Sequence, residues 1–496
     1  MSAQTFQQAI RSHVSPEWAA EYAAIVGAEH VLTSMPHLLA YARDRLPYAT
    51  FHLREGKLPG TLPLAIVCPA NASELAAVVK LSRARKTPLI PFGAGSGVLG
   101  GTLPLDHEII VDLKRLNQIV ALNETDACVT VQAGMNGGQF EAWLNERKLT
   151  CGHYPQSLHM STVGGWAACR GAGQNSSRFG KIEDMVLGLT AILPDGQELR
   201  VRSVARRAVG PSLKDLLVGS EGVLGIITEL TLRVWKLPQK RYSVVIGFPC
   251  LPEALGALRD VMQAELRPAL VRLYDEEESR QRGESAGIDS VRPIMAMMEF
   301  SGVERLAKVE RDLAMDIVAA HGGKQIKDEP YHHWVAHRFE SYSPQWQSRD
   351  YFMDTIEVTS AWSQLPELYA RIRSGILGLA EGTHFGTHWS HVYAEGACQY
   401  MTFRLPPMDT AIGLRLHHRA WEIAQSVCLE LGGSISHHHG SGVFRNPWME
   451  QELGGGLSLL QAIKDHLDPD NLFVPGKLGL RPRPGAVDIH NRKDAQ

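Results

Sequence analysis

The sequence predicts an α+β protein built from several domains, and three observations carry that prediction. Three glycine-rich loops, each joined to a short apolar strand, occupy the first half of the chain. From Arg241 the rhythm changes to longer strands alternating with helices. From about Ala424 the chain reads as mainly helical. A length of 496 residues is too great for one ordinary core. Apolar content of 44% and charged content of 21% are those of a soluble globular enzyme. The net charge of −3 makes no electrostatic case for nucleic acid or an anionic membrane. The 7 cysteines are scattered without a Cys-x-x-Cys pair, which suits a reducing compartment. No apolar run is long enough for a membrane span, and neither terminus shows a readable address. A cytoplasmic location is therefore expected, with peripheral membrane contact left open.

Taken in order, residues 1–60 read as helices with a polar connection, and Arg54 to Pro63 as a loop. Ser73-Glu74-Leu75 opens a helix with Leu75, Val78, Val79 and Leu81 as its buried stripe. The strand Pro88 to Phe92 empties into Gly93-Ala94-Gly95-Ser96-Gly97, a run suited to converging backbone amides on an anion such as a diphosphate. Its spacing fits neither the dinucleotide fingerprint nor a P-loop, and alone it is equally compatible with a glycine turn. Ile109 to Val111 and Val129 to Val131 read as strands, Gln139 to Arg147 as a helix, and Pro194-Asp195-Gly196 as a hairpin turn. Tyr242 to Ile246, Ala269 to Leu273, Met295 to Phe300 and Ile356 to Thr359 are strands of a second sheet, expected to carry its helices on one face. The methionines at 295, 297 and 298 read as core filler.

Ser434-Ile435-Ser436-His437-His438-His439-Gly440 is the most unusual stretch. On a strand, His437 and His439 would share one face and His438 the other; the alternative is a polar loop near the surface. His333 and His337, four apart beside His332, read as a surface helix ahead of a metal site. His384, His388 and His391 lie just before Tyr400.

The loops in series are Pro91 to Gly101, Ser161-Thr162-Val163-Gly164-Gly165-Trp166 running to Gly173, and Gly219 to Ile227. Together they resemble the FAD-binding domain of the vanillyl-alcohol oxidase and p-cresol methylhydroxylase flavoproteins. The resemblance implies a two-subdomain PCMH-type FAD-binding domain over 61–240 and a ferredoxin-like substrate cap over 241–425. A helical segment over 426–496 would close the site, after an N-terminal helical segment over 1–60. It implies FAD contacts from Pro91, Phe92, Gly93, Ala94, Gly95, Ser96, Gly97, Pro155, Ser157, Ser161, Thr162, Gly164, Gly165 and Ala168. Gly171, Ala172, Gly173, Glu221, Gly222, Gly225, Ile226 and Ile227 complete that set. Covalent attachment in the family commonly uses a histidine in the first loop. None stands between Phe92 and Pro104, so non-covalent FAD is expected.

Within the family, His437-His438-His439-Gly440, Gly396 to Tyr400 and Val271-Arg272-Leu273 are similar to the alkylglycerone-phosphate synthase branch. That likeness implies Tyr400 as proton-abstracting base, with positively charged or donor groups around it favouring phenolate. It places His437, His438 and His439 at the substrate carbonyl and phosphate, with Arg272 and Arg349 as active-site arginines. Glu357 follows Arg349 by eight positions, fewer than the family pattern, so Arg338 is an alternative carrier of that charge. The substrate is expected to be a small molecule bearing phosphate or carboxylate, and the assembly a homodimer. The rival reading is an FAD-dependent D-2-hydroxy-acid dehydrogenase or oxidase, many of which hold a metal with two histidines and a glutamate. Here Cys398 or Tyr400 and His438 stand at two of those positions, so no metal is expected. A flavin-binding protein without turnover is the third reading, and a base beside the flavin argues against it.

Overall fold

The computed structural model describes residues 16–288, 293–340 and 349–490. Its first half is built on two sheets. A four-stranded sheet sets Leu89–Phe92 beside Ile109–Asp112, then Ile66–Val67 and Val31–Leu32. A five-stranded antiparallel sheet runs in the order Ile119–Asn123, Cys128–Gln132, Ile226–Arg233, Val186–Ile192 and Glu198–Val201. The last two are joined by the expected hairpin, where Gly196 has φ of 80° and Leu193 N–H donates to the Gln197 carbonyl at 2.9 Å.

The helix expected to open at Ser73 starts one residue earlier. It spans Ala72–Arg85, and the Asn71 side chain caps it by accepting from Glu74 N–H. Leu75, Val78 and Val79 are buried as expected, Leu81 packs half-buried against the same core, and Ser82 is buried beside them with its hydroxyl 2.9 Å from Tyr22 Oη.

The second half is organised by a seven-stranded antiparallel sheet. Its order is Lys324–Ile326, Lys240–Phe248, Ile294–Gly302, Leu270–Tyr274, His384–Val392, Gly396–Leu405 and Phe352–Ala361. Long helices Leu251–Gln263, Glu304–Ala320, Leu365–Leu377 and Thr410–Glu430 bury one face in a large apolar core. The expectation of helices on one face needs correction: Tyr331 and Trp334 of the short helix Glu329–His337 pack against Val245, Met295 and Met297 on the opposite face. That opposite face is where polar side chains gather. In Gly396–Leu405, Ala397, Met401, Phe403 and Leu405 enter the core, while Tyr400, Thr402 and Arg404 look the other way into a cavity. The C-terminal segment returns to the first half, where Leu89 N–H donates to Leu472 O at 2.7 Å and Val474 N–H to Leu89 O at 2.9 Å.

Candidate active site

A cavity of about 1480 Å³ lies between the glycine loops and the polar face of the second sheet. All the loop residues expected to contact a cofactor line it except Gly173. At Gly173 the glycine serves packing, since a Cβ there would stand 2.4 Å from the Tyr154 amide nitrogen. In the first loop, Gly95 has φ of 61°, and a Cβ on Gly93 would come within 2.3 Å of Thr162 Oγ1. Among the described residues, nothing accepts from the successive amides of Gly93 to Gly97. Backbone donors left together at a cavity wall are a fit for phosphate oxygens.

Glu221 works through its side chain. Its half-buried carboxylate accepts from Ser441 N–H at 2.6 Å and Gly442 N–H at 2.9 Å, tying the third glycine loop to the chain just after the histidine run.

The histidine run is a half-buried loop with Ile435 and His437 buried, which corrects the strand expectation and sets the run into a cavity wall, not on the outer surface. After a single bridge between Thr359 and Ser434, the chain folds back so that Ser436 Oγ donates to Gly440 O at 3.1 Å. Glu357 sits inside the bend, fully buried. Its carboxylate accepts from His437 N–H at 2.5 Å, His439 N–H at 3.0 Å, Ser436 Oγ at 3.2 Å and Arg445 Nη1 at 3.1 Å. Arg445, also fully buried, donates in addition to Gly440 O at 2.6 Å and to the Glu357 carbonyl at 2.8 Å. Burial alone would push the Glu357 carboxyl up, but Arg445, His439 and the two amides hold it below its usual value. Sequence reasoning noticed Glu357 only as a spacing marker.

His438 and His439 line the cavity; His437 stands behind them, with its Nε2 2.9 Å from the Tyr393 hydroxyl. Burial pushes all three imidazoles below their ordinary value, so they are neutral near pH 7. For His439 the Glu357 carboxylate, 3.7 Å from Nδ1, works against that fall. Tyr400 lies in the lining with its ring stacked on His388 (4.7 Å) and His438 (5.8 Å), and with His439 edge-on at 5.5 Å. The expected phenolate is not supported. Burial raises the Tyr400 phenol, and Glu357, Asp354 and Cys398 raise it further against a hydrogen bond from Thr355. Imidazoles kept neutral supply no positive charge to oppose them.

Arg272 lines the cavity and is buried, with Nε donating to the Tyr274 hydroxyl at 2.8 Å and its guanidinium 5.2 Å from the Trp334 ring. Arg349 is exposed and outside the lining, whereas Arg338 is in it, its guanidinium 5.3 Å from the Tyr154 ring. His333 and His337 stack at 4.3 Å near Arg338, and His337 Nδ1 bonds the His333 carbonyl at 2.7 Å. No third ligand joins that pair among the described residues. His391 does meet the histidine loop: its ring stacks on His437 at 4.9 Å, and ring nitrogens of His391, His437 and His438 lie within 4.8 Å of one another. Glu357, Cys398 and His438 form a second such group. Residues missed by sequence reasoning include Asp44, Glu278, Arg282 and Arg404, all in the lining. Arg404 had a signal: it follows Tyr400 and Thr402 at every second position of one strand.

Comparison with known proteins agrees with this architecture. The FAD binding domain model matches residues 63–202, and the FAD linked oxidases C-terminal domain model matches 237–478. The uncharacterized FAD-linked oxidoreductase YgcU of Escherichia coli (strain K12) is 30% identical, over 92% of this chain and 96% of its own. The alkyldihydroxyacetonephosphate synthase of Dictyostelium discoideum is 26% identical over 84% of this chain and 73% of its own. A probable mitochondrial D-lactate dehydrogenase of Danio rerio is 26% identical over 84% of each chain. Among solved structures, an alkyldihydroxyacetonephosphate synthase superposes with TM-score 0.79 at 22% identity, covering 93% of this chain and 86% of that one. A p-cresol methylhydroxylase with substrate bound gives 0.76 at 15% identity, covering 97% and 98%. A PCMH-type fold, a glycine-loop cradle and two adjoining family matches lead to one conclusion: the chain belongs to the FAD-linked oxidase family and is an FAD-dependent oxidoreductase.

Proposed function

We propose that this enzyme acts on a small anionic molecule at the face of a non-covalently held FAD, with a neutral histidine as proton acceptor, in the manner of an alkylglycerone-phosphate synthase or a related oxidoreductase. One observation carries the reading: His439, neutral and in the cavity wall, backs onto the buried carboxylate of Glu357. A carboxylate behind an imidazole stabilises the imidazolium formed when it takes a proton, which suits a general base.

The glycine loops would hold FAD, the amides of Gly93 to Gly97 being suited to its diphosphate and Ser161 to Gly165 forming another part of the same cavity wall. When bound, FAD accepts a hydride or a nucleophile at its N5 position. The chain's own part is to bind, orient and move a proton. Arg272 holds the anionic group through its guanidinium fork, stiffened by Tyr274 and Trp334. His439 Nε2 receives the substrate proton. Tyr400, kept as a phenol, donates a hydrogen bond to the substrate oxygen where charge develops.

A D-2-hydroxy-acid dehydrogenase is the second reading, favoured by the approach of His391 to His437 and His438. Anaerobic mixing of the purified enzyme with 2-hydroxy acids, phenols and acylated glycerone phosphates separates the two. Bleaching of the flavin's visible band by 2-hydroxy acids alone selects the dehydrogenase. A spectral change with acylated glycerone phosphate selects the synthase-like chemistry, and no response to any anionic substrate refutes both. The homodimer and the cytoplasmic location stand as parts of the same proposal, checked by light scattering and by fractionation.

A further inference from the structure

Between the strand Glu198–Val201 and the short helix Leu213–Leu217 the chain leaves the body of the protein. Residues 202–213 are all exposed, and 204–211 form no hydrogen bond or ion pair among the described residues. A Cβ on Gly210 would meet nothing within 4 Å.

Positive charge gathers on this loop. No acidic residue lies between Glu198 and Asp215, while Arg200, Arg202, Arg206 and Arg207 are exposed and without a carboxylate partner among the described residues. Lys214 is a further cation, and it is paired with Asp215 at 3.1 Å. The slight negative net charge of the whole chain therefore hides a local group of unpaired arginines. Apolar side chains share the same surface: Val209 is 80% exposed, Val204 49%, Leu213 45% and Leu216 41%. Left in water these side chains forgo the gain of burial, and their clustering beside the arginines marks an interaction surface.

Three kinds of partner offer a matching surface, and the composition of the loop disfavours two of them. A second copy meeting this loop across a two-fold axis would set the arginines against themselves, since such an interface uses the same patch twice. A nucleic acid would neutralise the arginines through its phosphates, but a charged backbone gives the valines and leucines nothing apolar to enter. An anionic bilayer answers both features, with headgroups for the guanidiniums and the acyl boundary for the aliphatic side chains.

We propose that residues 200–216 form a docking surface for an anionic lipid bilayer, held by Arg200, Arg202, Arg206 and Arg207, with Val204 and Val209 at the boundary between headgroups and acyl chains. The helix that follows ends at Leu217, which lines the cavity, so the docked bilayer lies one short helix away from the site.

The test is sedimentation of the FAD-loaded enzyme with vesicles of phosphatidylcholine alone or mixed with about one-third phosphatidylglycerol. Binding should appear on the mixed vesicles, fall as salt is raised, and be at least about 10-fold weaker on phosphatidylcholine alone. Each arginine near a charged surface is worth about 5-fold in partitioning, so combining Arg206→Gln with Arg207→Gln should weaken binding by about 25-fold. Val209→Ser should weaken it by about 3- to 10-fold and leave its salt dependence unchanged. These side chains are exposed and bond to nothing, so FAD content and melting temperature should match the native enzyme. Equal binding to the two kinds of vesicle, no binding to either, or undiminished binding by the double arginine variant would overturn the proposal. Tighter binding to a DNA duplex than to the mixed vesicles at the same salt would overturn it too. So would a loss of mass by light scattering in the arginine variant, which would make the loop a contact between copies.

Discussion

Replacing Glu357 with Gln is the sharpest perturbation of the proposed site, because it keeps the shape and removes the charge that the histidine loop is folded around. In the native chain the carboxylate accepts four hydrogen bonds, two from backbone amides, one from Ser436 and one from the fully buried Arg445. An amide offers one acceptor oxygen and turns an NH₂ toward donors that already point inward. Arg445 would be left as a buried cation without its counter-charge, a loss of about 3–5 kcal/mol. At roughly 2–4 °C per kcal/mol for a domain of moderate size, melting should fall on the order of 10 °C. The pH dependence has a definite sign. Folding holds the Glu357 carboxyl below its usual value, so its contribution is present above the unfolded carboxylate range and lost as pH falls through the lower folded value. Native protein should therefore lose stability on acidification below about pH 4.5, and the Gln variant should lack that component. Turnover should also drop by about 10²-fold or more, because His439 loses the anion that stabilises its protonated form. Calorimetric melts of both proteins across pH, with FAD content measured on each, test this. A melting shift under about 2 °C would refute the claim that Glu357 anchors the loop.

Four further outcomes follow from the same geometry. Tyr400→Phe should keep FAD and lose about 10²–10³-fold in turnover while retaining the native acid limb, whereas His439→Gln should lose that limb; a Tyr400→Phe enzyme without its limb would restore Tyr400 as the base. In the native enzyme the acid limb of kcat/KM should lie below the ordinary histidine value of about 6.5, since burial lowers His439 and a neutral base works only above its own pKa. Acid precipitation should release the yellow cofactor into the supernatant; colour retained in the pellet contradicts non-covalent binding. Prolonged chelation should leave turnover intact, and metal analysis with zinc or manganese re-addition that restores lost activity would show that His391, His437 and His438 hold an ion.

Features set by local chemistry were legible in the sequence. The run Gly93 to Gly97 after an apolar strand suits converging amides but reads equally as a glycine turn until the two later glycine loops are set beside it, whereas the hairpin at Pro194 to Gly196 is written in its own residues. The strand Gly396–Leu405 likewise shows its two faces by alternation, with Met401, Phe403 and Leu405 inward and Tyr400, Thr402 and Arg404 toward the cavity. What only the tertiary structure decided depends on partners far apart in the chain. Glu357 reads as an ordinary strand residue until the fold brings residues 436–445 around it. The histidine run reads as a set of positive or donor groups until the fold desolvates it, and that desolvation keeps its imidazoles neutral near pH 7. The Tyr400 phenol follows from the same cause. Its ionisation is governed by desolvation and by Glu357 and Asp354, and both are properties of an enclosed volume that no linear pattern encodes.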